Sequence, residues 1–457
     1  MIDREHPPVV PADAHAEWSE AIDAMSPAAA RSHAEAVREA ASELGIWSRG
    51  GYVPLQPFVL GSGSANFLHG IGSRLGDLLR DHALEACGHD MGKLADIAEL
   101  SEDERWFVGA ERPLDQALGC LRPDVLVSDG RPYVLELNFG TCLNGTTAAP
   151  VLTDTLLSTP TGREMRRAND LSARSFFAAR SDWARTHARG DGGRVALLGL
   201  ASEGDEGSLR AFQAEGDYFA AHGVPCDFVP VEEAEVAQGS LWWRGRPYGT
   251  AIRYFMANAR VRRDHMDFVI ALEHAKGTRL LGSYVSQLFT SKALLADLYC
   301  DPRLDARQRR LLSFVPWTAR LTPGWVDRHG DRVDPVEWAF ANREEAVLKP
   351  FNLFGSRGVL MGSALGEQEW REAVEGALRE GAHVVQERVR ADPWPMRYWN
   401  LESEAVEAVE APVLLGPYSV GAQDGGCFTQ QPIRGGAEAL IERGHPRSFG
   451  TVVSSSD

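Results

Sequence analysis

The most informative stretch of the chain is residues 122–138, which read RPDVLVSDGRPYVLELN. Two apolar runs with period-two alternation flank an Asp-Gly pair, and this arrangement is the strongest short-range signal for a β-hairpin. Side chains two residues apart in a strand point to the same face. Glu136 and Asn138 are therefore expected to project together. Asp124, near the start of the partner strand, is expected to meet them across the ladder.

Asp124, Glu136 and Asn138 together offer two carboxylates and an amide. This oxygen-rich set suits Mg²⁺, which takes one or two carboxylates and completes its shell with water and substrate phosphates. The alternative interpretation is a hairpin with a solvated polar face; residue types alone slightly favour it, and both interpretations remain open at this point.

Composition limits the classes of protein. The chain has 457 residues, enough for two to three domains or one large multi-lobed α/β enzyme, and its 44% hydrophobic and 24% charged residues are typical of a globular chain. Its net charge of −17 disfavours broad binding to nucleic acid or to anionic membranes, but it leaves room for a small anionic ligand in a local basic pocket.

The compartment is predicted from the cysteines and the apolar runs. Six scattered cysteines with no C-x-x-C pair favour reduced thiols over a disulfide scaffold or a structural zinc site. The first ten residues, MIDREHPPVV, lack the basic start and apolar core of a signal peptide, and no apolar run is long enough to span a membrane. A cytoplasmic protein is expected, with an unknown oligomeric state.

Sequence patterns predict a mixed α+β or α/β chain in four parts. These parts are a mainly helical region (1–115), a part with the 122–138 hairpin (116–190), an α/β substrate-side domain (191–280) and nucleotide-binding lobes with closing strands (281–457). The α/β domain is expected to contain a strand over 194–201 and a second hairpin over 240–255 that turns at Arg244-Gly245-Arg246.

The last part carries a second candidate region at residues 345–361, EAVLKPFNLFGSRGVLM, which is predicted to form strand, loop and strand. The loop offers small residues and backbone N–H groups that can fold over phosphates, with positive charge from Lys349 and Arg357. An ordinary glycine-containing loop is the alternative. The strand VVQERV (384–389) could present backbone groups and a carboxylate to an adenine and a ribose, or it could be an apolar strand with a charged end.

Lysine is rare in this chain. Of 47 basic residues, only Lys93, Lys276, Lys292 and Lys349 are lysines. Lys292 begins a predicted helix, where the helix dipole disfavours a cation, so another group such as a phosphate is expected nearby. A compact, strongly hydrated ammonium suits a point contact with phosphate.

The commonest nucleotide and hydrolase motifs do not match. Residues 88–94, GHDMGKL, have the wrong spacing for a P-loop and lack its hydroxyl for Mg²⁺. No G-x-G-x-x-G opens a helix after a strand, and neither H-E-x-x-H nor G-x-S-x-G occurs.

Taken together, these pieces resemble the ATP-grasp superfamily in its circularly permuted form. The R-x-D…E-x-N hairpin (122–138) precedes the two lysines, as in glutathionylspermidine synthetase and eukaryotic glutathione synthetase. The resemblance covers roughly residues 120–436. It implies a circularly permuted ATP-grasp fold with a helical N-terminal region and a small α/β, pre-ATP-grasp-like domain.

The resemblance also implies roles for individual residues. Metal ligands for two Mg²⁺ would be Asp124, Glu136 and Asn138, and the groups nearest the transferred phosphoryl would be Arg122 and Arg357. The ATP site would comprise Lys292, Lys349, Asn352, Gly355 and Ser356 around the phosphates and Gln386, Glu387 and Val389 around the adenine. Substrate contacts would come from Thr141, Arg253 and Arg434. For Arg253, an arginine on a strand surface is an equal alternative.

The implied activity is ATP-dependent ligation of a small-molecule carboxylate to an amine through an acyl phosphate, with ATP and Mg²⁺ as cofactors. Three alternatives remain open: a small-molecule kinase that uses the same site, a non-catalytic nucleotide-binding scaffold, and an unrelated α/β scaffold. Cys142 is interpreted as a buried thiol, because the implied reaction needs no nucleophilic cysteine.

Overall fold

The computed structural model describes residues 6–43, 51–100, 105, 119–189, 193–201, 206–256, 263–435, 437–440 and 447–456. The rest of the predicted helical region 1–115, residues 1–5, 44–50, 101–104 and 106–115, lies outside the described residues. Helices and strands are mixed along the chain, as the sequence predicts.

The helices are listed here in chain order. They are α1 (Asp13–Asp23), α2 (Pro27–Glu43), α3 (Ser62–Cys87), α4 (Met91–Ile97), α5 (Ala148–Ser158), α6 (Pro160–Ala168), α7 (Phe176–His187), α8 (Glu206–Ala221), α9 (Arg263–Glu273), α10 (Lys292–Cys300), α11 (Ala306–Leu312), α12 (Pro335–Ala341) and α13 (Glu367–Glu380). Short 3₁₀ helices occupy Val231–Glu233, Tyr284–Thr290, Arg343–Glu345, Gly362–Ala364 and Ala437–Leu440. None of the described helices combines the length and apolar character needed to span a lipid bilayer.

The strands follow the same order. They are β1 (Tyr52–Pro54), β2 (Phe58–Gly61), β3 (Cys120–Ser128), β4 (Arg131–Phe139), β5 (Val195–Gly199), β6 (Cys226–Pro230), β7 (Glu235–Ala237), β8 (Ser240–Trp243), β9 (Arg246–Tyr248), β10 (Thr250–Arg253), β11 (Arg279–Leu281), β12 (Thr318–Arg320), β13 (Val326–Arg328), β14 (Asp331–Val333), β15 (Ala346–Pro350), β16 (Leu360–Met361), β17 (His383–Glu387), β18 (Pro393–Asn400), β19 (Ala405–Pro412), β20 (Leu414–Val420), β21 (Gln423–Pro432) and β22 (Arg447–Ser455).

A six-stranded sheet in the order β2-β22-β21-β20-β3-β4 forms the largest layer of the described structure. All its neighbours are antiparallel except β2 and β22, which run parallel. Helix α3 covers this sheet because Leu68, Ile71, Leu75 and Leu79 recur at helical spacing and are buried in one cluster with the apolar side chains of β3 and β4. Strands β3 and β4 thus form one edge of a sheet that packs against helix α3.

A second sheet, in the order β11-β10-β5-β6, is entirely parallel. Every residue of its central strand VALLG is buried, as expected for a parallel strand that is covered on both faces. Helix α7 is linked to helix α8 beside this sheet by a fully buried ion pair, in which the Nε of Arg180 lies 2.8 Å from Oε1 of Glu215. Burial raises the pKa of Glu215 above its usual range, and the charge of Arg180 opposes this.

A third sheet, in the order β12-β17-β15-β16, is antiparallel and has its own core. Trp317, Trp338, Trp370 and Val385 pack between the sheet and helices α12 and α13. We call this unit, residues 316–390, the lysine lobe, because its strand β15 carries Lys349.

Most of the predicted elements occur. Helix α2 begins at Pro27, and the backbone N–H of Ala29 donates to the Ser26 hydroxyl at 3.3 Å. At the predicted hairpin turn, Asp129 and Gly130 have φ of 52° and 69°, the positive values that a two-residue turn requires. The 345–361 strand, loop and strand are β15, a turn and β16.

Two predictions need correction. The predicted second hairpin over 240–255 ends at Tyr248, because strands β8 and β9 form the hairpin and Thr250–Arg253 leaves it to pair with β5 in the parallel sheet. The described part of region 1–115 also contains β1 and β2, which pair with β18 and β22 far along the sequence. Such long-range partners leave no local signal.

Candidate functional site

Strands β3 and β4 bring the predicted polar residues together. Asp124 lies directly opposite Glu136, and Arg122 lies directly opposite Asn138. The register then shifts, because Val125 pairs with Val134 and Leu135 has no residue opposite it. This β-bulge at Leu135 turns its carbonyl out of the ladder, where it accepts hydrogen bonds from the lysine lobe.

The two carboxylates form a coupled pair. Nδ2 of Asn138 lies 3.3 Å from Oδ1 of Asp124 and 3.4 Å from Oε1 of Glu136. The guanidinium of Arg122 lies against Asp124, with Nη2 2.7 Å from Oδ1. Burial raises the pKa of Asp124 above its usual range; Arg122 opposes this, and the carboxylate of Glu136 adds to it. Burial also acts to raise the pKa of Glu136, but Lys292 and Lys349 outweigh it and hold that pKa low.

Arg122 has room because of a glycine on the neighbouring strand. A Cβ on Gly416 of β20 would stand 2.8 Å from Cδ of Arg122. Nη1 of Arg122 also donates to the backbone carbonyl of Asn144, at 2.9 Å. The guanidinium is therefore held between the Asp124 carboxylate and the loop that follows β4.

The two rare buried lysines converge on this pair. Lys292 is the first residue of α10, and its Nζ lies 3.2 Å from Oε2 of Glu136 and 3.1 Å from the carbonyl oxygen of Leu353. The ion pair with Glu136 explains how a cation is tolerated at a helix N-terminus. Lys93 and Lys276, by contrast, are exposed.

Lys349 reaches the same place from the lysine lobe. Its Nζ lies 2.6 Å from Oε1 of Gln386 and 3.5 Å from the carbonyl oxygen of Leu135. Burial lowers the pKa of Lys349 to about 8; Glu136 acts against this, and Lys292 acts with it. Two ammonium groups and two carboxylates therefore share one small volume.

These groups line a cavity of about 410 Å³, a volume typical of small-molecule sites. Much of the remaining lining is apolar and comes from Leu126, Val347, Val359, Met361, Val389 and Leu414. A charged cluster beside apolar surface matches a ligand with an anionic part and a flat or apolar part.

The donor set fits Mg²⁺. Among the described residues, no three His, Cys, Asp or Glu side chains cluster as a cage built by the protein alone. Mg²⁺ does not need one, because it binds through one or two carboxylates plus water and phosphate. Burial and, to a lesser degree, the neighbouring Glu136 carboxylate raise the pKa of Asp124, so a proton is favoured there. A divalent cation bound by both carboxylates can take the place of that proton. Asp124 and Glu136, with the amide oxygen of Asn138 after a flip, would be the ligands.

Several other predicted residues also line the cavity. They are Gly355, Ser356, Gln386, Glu387 and Val389. The backbone of Gly355 and Ser356 has positive φ, 65° and 59°, which bends the loop between β15 and β16 over the cavity. The carboxylate of Glu387 lies 2.7 Å from Nη2 of Arg328 and 2.9 Å from Nε2 of His329.

In the described part of the chain, five predicted side chains do not line the cavity: Thr141, Arg253, Asn352, Arg357 and Arg434. Arg253 is fully buried, so it is not the arginine on a strand surface that the sequence offered as an alternative. Its guanidinium donates to the backbone carbonyls of Gly282, Phe255 and Ser283, and the Thr141 hydroxyl donates to the carbonyl of Arg253 itself. Both side chains are therefore engaged with backbone carbonyls and not with the cavity.

The remaining three are held elsewhere. Asn352 donates to the carbonyls of Ala98 and Glu99, each at 3.0 Å. Arg357 is exposed and donates to the Phe354 carbonyl at 3.2 Å, and Arg434 is exposed beside the Tyr52 hydroxyl at 3.5 Å. Each of the three side chains thus has a polar partner outside the cavity lining.

Sequence reasoning missed other polar residues of the cavity. These are Asn144, Gln287, Thr290, Arg388, Gln430 and Arg447. Gln430 and Arg447 lie on β21 and β22, whose alternation predicts two faces but not which face borders a cavity. No motif pointed to them.

In comparisons of sequence alone, no protein-family model and no curated protein matched the chain. Among solved structures, it is similar to a glutathione synthetase-like effector from Globodera pallida in its apo form, with a TM-score of 0.58, 12% identity, and coverage of 94% of this chain and 97% of that chain. The chain thus shares its fold with that effector across nearly the whole of both molecules. At this identity the likeness concerns the fold and not the chemistry.

A protein of Methylobacillus flagellatus, predicted to be a gamma-glutamylcysteine synthetase, aligns with a TM-score of 0.40 and 10% identity over 80% of this chain and 87% of that chain. This TM-score is too low to support an argument. The fold shared with the effector agrees with the glutathione synthetase type that the sequence resembles.

Proposed function

We propose that the chain is an ATP-dependent carboxylate–amine ligase that forms an amide bond through an acyl phosphate. The observation that carries the proposal is the convergence of Lys292 and Lys349 on the carboxylates of Asp124 and Glu136 in a cavity whose lining is also rich in apolar side chains. The fold shared with a protein named as glutathione synthetase-like supports a ligase over a small-molecule kinase.

In this proposal the nucleotide occupies the cavity between the lysine lobe and the six-stranded sheet. The apolar surface of Leu126, Val347, Met361 and Val389 receives the adenine. The phosphates meet Lys292 and Lys349, because the charges of both ammonium groups act on the carboxylate of Glu136. The loop with Gly355 and Ser356 lies over them and presents backbone N–H groups.

Mg²⁺ would be held by Asp124 and Glu136 with the amide of Asn138, and when bound it would neutralise charge on the phosphates. Nη2 of Arg122 lies 2.7 Å from Oδ1 of Asp124, so Arg122 supplies a further cation beside the carboxylates. Little covalent chemistry falls to the protein in phosphoryl transfer, so positioned positive charge is its main contribution.

The reaction has two steps. A substrate carboxylate oxygen attacks the γ-phosphorus of ATP, the bond from this phosphorus to the bridging oxygen breaks, and an acyl phosphate and ADP form. An amine then attacks the acyl carbon, the bond from this carbon to the phosphate oxygen breaks, and an amide, phosphate and a proton are released. The cavity shields the acyl phosphate from water.

The finer assignments belong to this proposal as well. The order of hairpin, lysines and closing strands is that of a circularly permuted ATP-grasp, and two Mg²⁺ ions accompany ATP. The divisions at residues 116, 191 and 281 remain predicted domain boundaries. Since Thr141 and Arg253 are engaged with backbone, substrate contacts are assigned to cavity-lining polar groups such as Gln430.

The protein is tested by incubation with ATP, Mg²⁺ and a panel of carboxylic acids in hydroxylamine. The expected result is a hydroxamate together with ADP. Release of AMP would contradict the acyl-phosphate route, and a phosphorylated product that is stable to hydroxylamine would identify a kinase. A panel of amines with the best acid then identifies the second substrate.

A further inference from the structure

Gln386 is buried in the floor of the cavity, and its side-chain amide is fully engaged within the protein. Its side chain is only 2% exposed. Oε1 accepts from Nζ of Lys349 at 2.6 Å, and Nε2 donates to the carbonyl oxygen of Leu135 at 3.1 Å and to Oγ1 of Thr318 at 2.9 Å. Both N–H groups and the oxygen of the amide therefore have partners within the protein.

The first consequence concerns where Lys349 points. The carboxylate of Glu136 attracts Lys349 electrostatically, as it attracts Lys292. Lys292 makes a direct ion pair with Glu136, at 3.2 Å, whereas the hydrogen bonds of Lys349 go to two neutral acceptors, Gln386 and Leu135. A neutral acceptor at 2.6 Å keeps the second ammonium off the carboxylates without cancelling its charge.

The second consequence concerns the distance between the two sheets of the site. Leu135 is the bulge residue of β4 and immediately precedes Glu136, whereas Gln386, Lys349 and Thr318 lie on three neighbouring strands of the lysine lobe. The hydrogen bond from Gln386 to the Leu135 carbonyl therefore joins β17 to β4, the strand that carries Glu136. Strand β17 in turn pairs with β15, which carries Lys349. A single amide sets both the direction of Lys349 and its separation from Glu136.

We propose that Gln386 is a positioning residue, which holds Lys349 away from the carboxylate pair and joins the lysine lobe to the bulge at Leu135. The role of Lys349 in binding ATP rests on the proposed function, but the holding of Lys349 by Gln386 does not. Without this amide, Lys349 turns onto Glu136 and Asp124 and competes there with any cation, so its charge is no longer available to a phosphate.

The first test does not depend on ATP. The chain has only four lysines, so acetylation by acetic anhydride can be followed at each one by mass spectrometry. In Gln386→Met, which keeps the volume of the side chain and removes its hydrogen bonds, we expect acetylation of Lys349 to fall several-fold, because an ammonium paired with carboxylates is a poorer nucleophile. Labelling of the exposed Lys93 and Lys276 is expected to stay unchanged.

The second test measures binding of Mg·ATP by calorimetry. Loss of a hydrogen bond to a charged group predicts that Gln386→Met weakens binding roughly ten- to a hundredfold. KM for ATP is expected to rise with it, while kcat changes little, as for a group that contacts ATP in the ground and transition states alike. In a Lys349→Met background, Gln386→Met is expected to add almost nothing, because its effect acts through that lysine.

A matched control separates positioning from stability. Gln56 is also fully buried and is hydrogen-bonded to Ser19 and His15. It is not among the residues that line the cavity. Gln56→Met is expected to lower Tm without changing the acetylation of Lys349 or the affinity for Mg·ATP. If Gln386→Met does not fold, Gln386→Glu serves in its place, because it keeps an acceptor for Lys349, loses the donor to Leu135 and neutralises the ammonium, so binding still weakens.

The outcomes distinguish the two proposals. Unchanged or increased acetylation of Lys349 in the Gln386 variant overturns the positioning role, whatever the protein binds. Unmodified protein that does not bind Mg·ATP, with the acetylation of Lys349 reduced as expected in the variant, contradicts the proposed function and leaves the positioning role supported. Additive losses in the double variant also overturn the positioning role.

Discussion

Replacement of Glu136 by glutamine removes the negative charge at the centre of the site and keeps its shape. Oε2 of Glu136 lies 3.2 Å from Nζ of Lys292, and the two side chains are only 24% and 6% exposed. At an effective dielectric constant of about 20, two unit charges at this distance attract by about 5 kcal/mol. Desolvation offsets part of that attraction, and loss of one member of a buried pair typically costs about 3–5 kcal/mol.

Glu136 faces Lys292 and Lys349 and is a proposed Mg²⁺ ligand, so its loss acts on both cation and metal binding. We expect kcat/KM for ATP to fall by about a hundredfold, which corresponds to about 3 kcal/mol of lost transition-state stabilisation. The Mg²⁺ concentration that gives half of the maximal rate is expected to rise as well. The assay is ADP release at a series of Mg²⁺ and ATP concentrations.

The control is Glu410→Gln, because Glu410 is an exposed strand glutamate on β19. This variant is expected to match the unmodified protein at every Mg²⁺ concentration. A Glu136→Gln protein that kept full turnover across the series would refute the metal assignment and the electrostatic reasoning together.

Three further outcomes are expected. Lys349→Arg should raise KM for ATP at least about tenfold, because a planar guanidinium cannot occupy the buried site 2.6 Å from Gln386 without overpacking. Lys93→Arg, at an exposed position of helix α4, should have the kinetics of the unmodified protein. Because burial lowers the pKa of Lys349 to about 8, kcat/KM for ATP should be full below that pH and fall as the pH rises through it, and a pH profile without this decline would contradict the phosphate role. Glu215→Gln should lower the free energy of unfolding in urea by about 3–5 kcal/mol, since it leaves Arg180 as an unpaired buried cation; equal stability would show that the pair is not ionised.

The sequence predicted the hairpin and the proximity of its three polar side chains, because the relevant signals are local. Period-two alternation around an Asp-Gly turn is sufficient to place Asp124, Glu136 and Asn138 on one face of a hairpin, and the structure brings them together. The convergence of Lys292 and Lys349 on that hairpin followed only from the resemblance to a known family, since the two lysines belong to separate elements.

The rest could not be predicted, because it depends on partners far along the chain. Arg253 ends a short strand in an apparently exposed pattern, yet the parallel sheet buries it among backbone carbonyls. Asn352 stands in the predicted phosphate loop, but the carbonyls of Ala98 and Glu99 hold its amide. The bulge at Leu135 arises from the register of two strands, and alternation of apolar residues does not reveal it.

The six-stranded sheet has a consequence for the order in which the protein folds. Strand β3, which carries Asp124, is paired on one side with its hairpin neighbour β4 and on the other with β20, and β22 is inserted between β2 and β21. The parallel sheet and the lysine lobe have mostly local strand neighbours, but this sheet needs strands from both ends of the described chain. Long-range pairing of this kind is slow and leaves apolar strand faces exposed meanwhile. We expect the hairpin that carries the carboxylate pair to form locally, but to be fixed in this sheet only after β20, β21 and β22 have been synthesised.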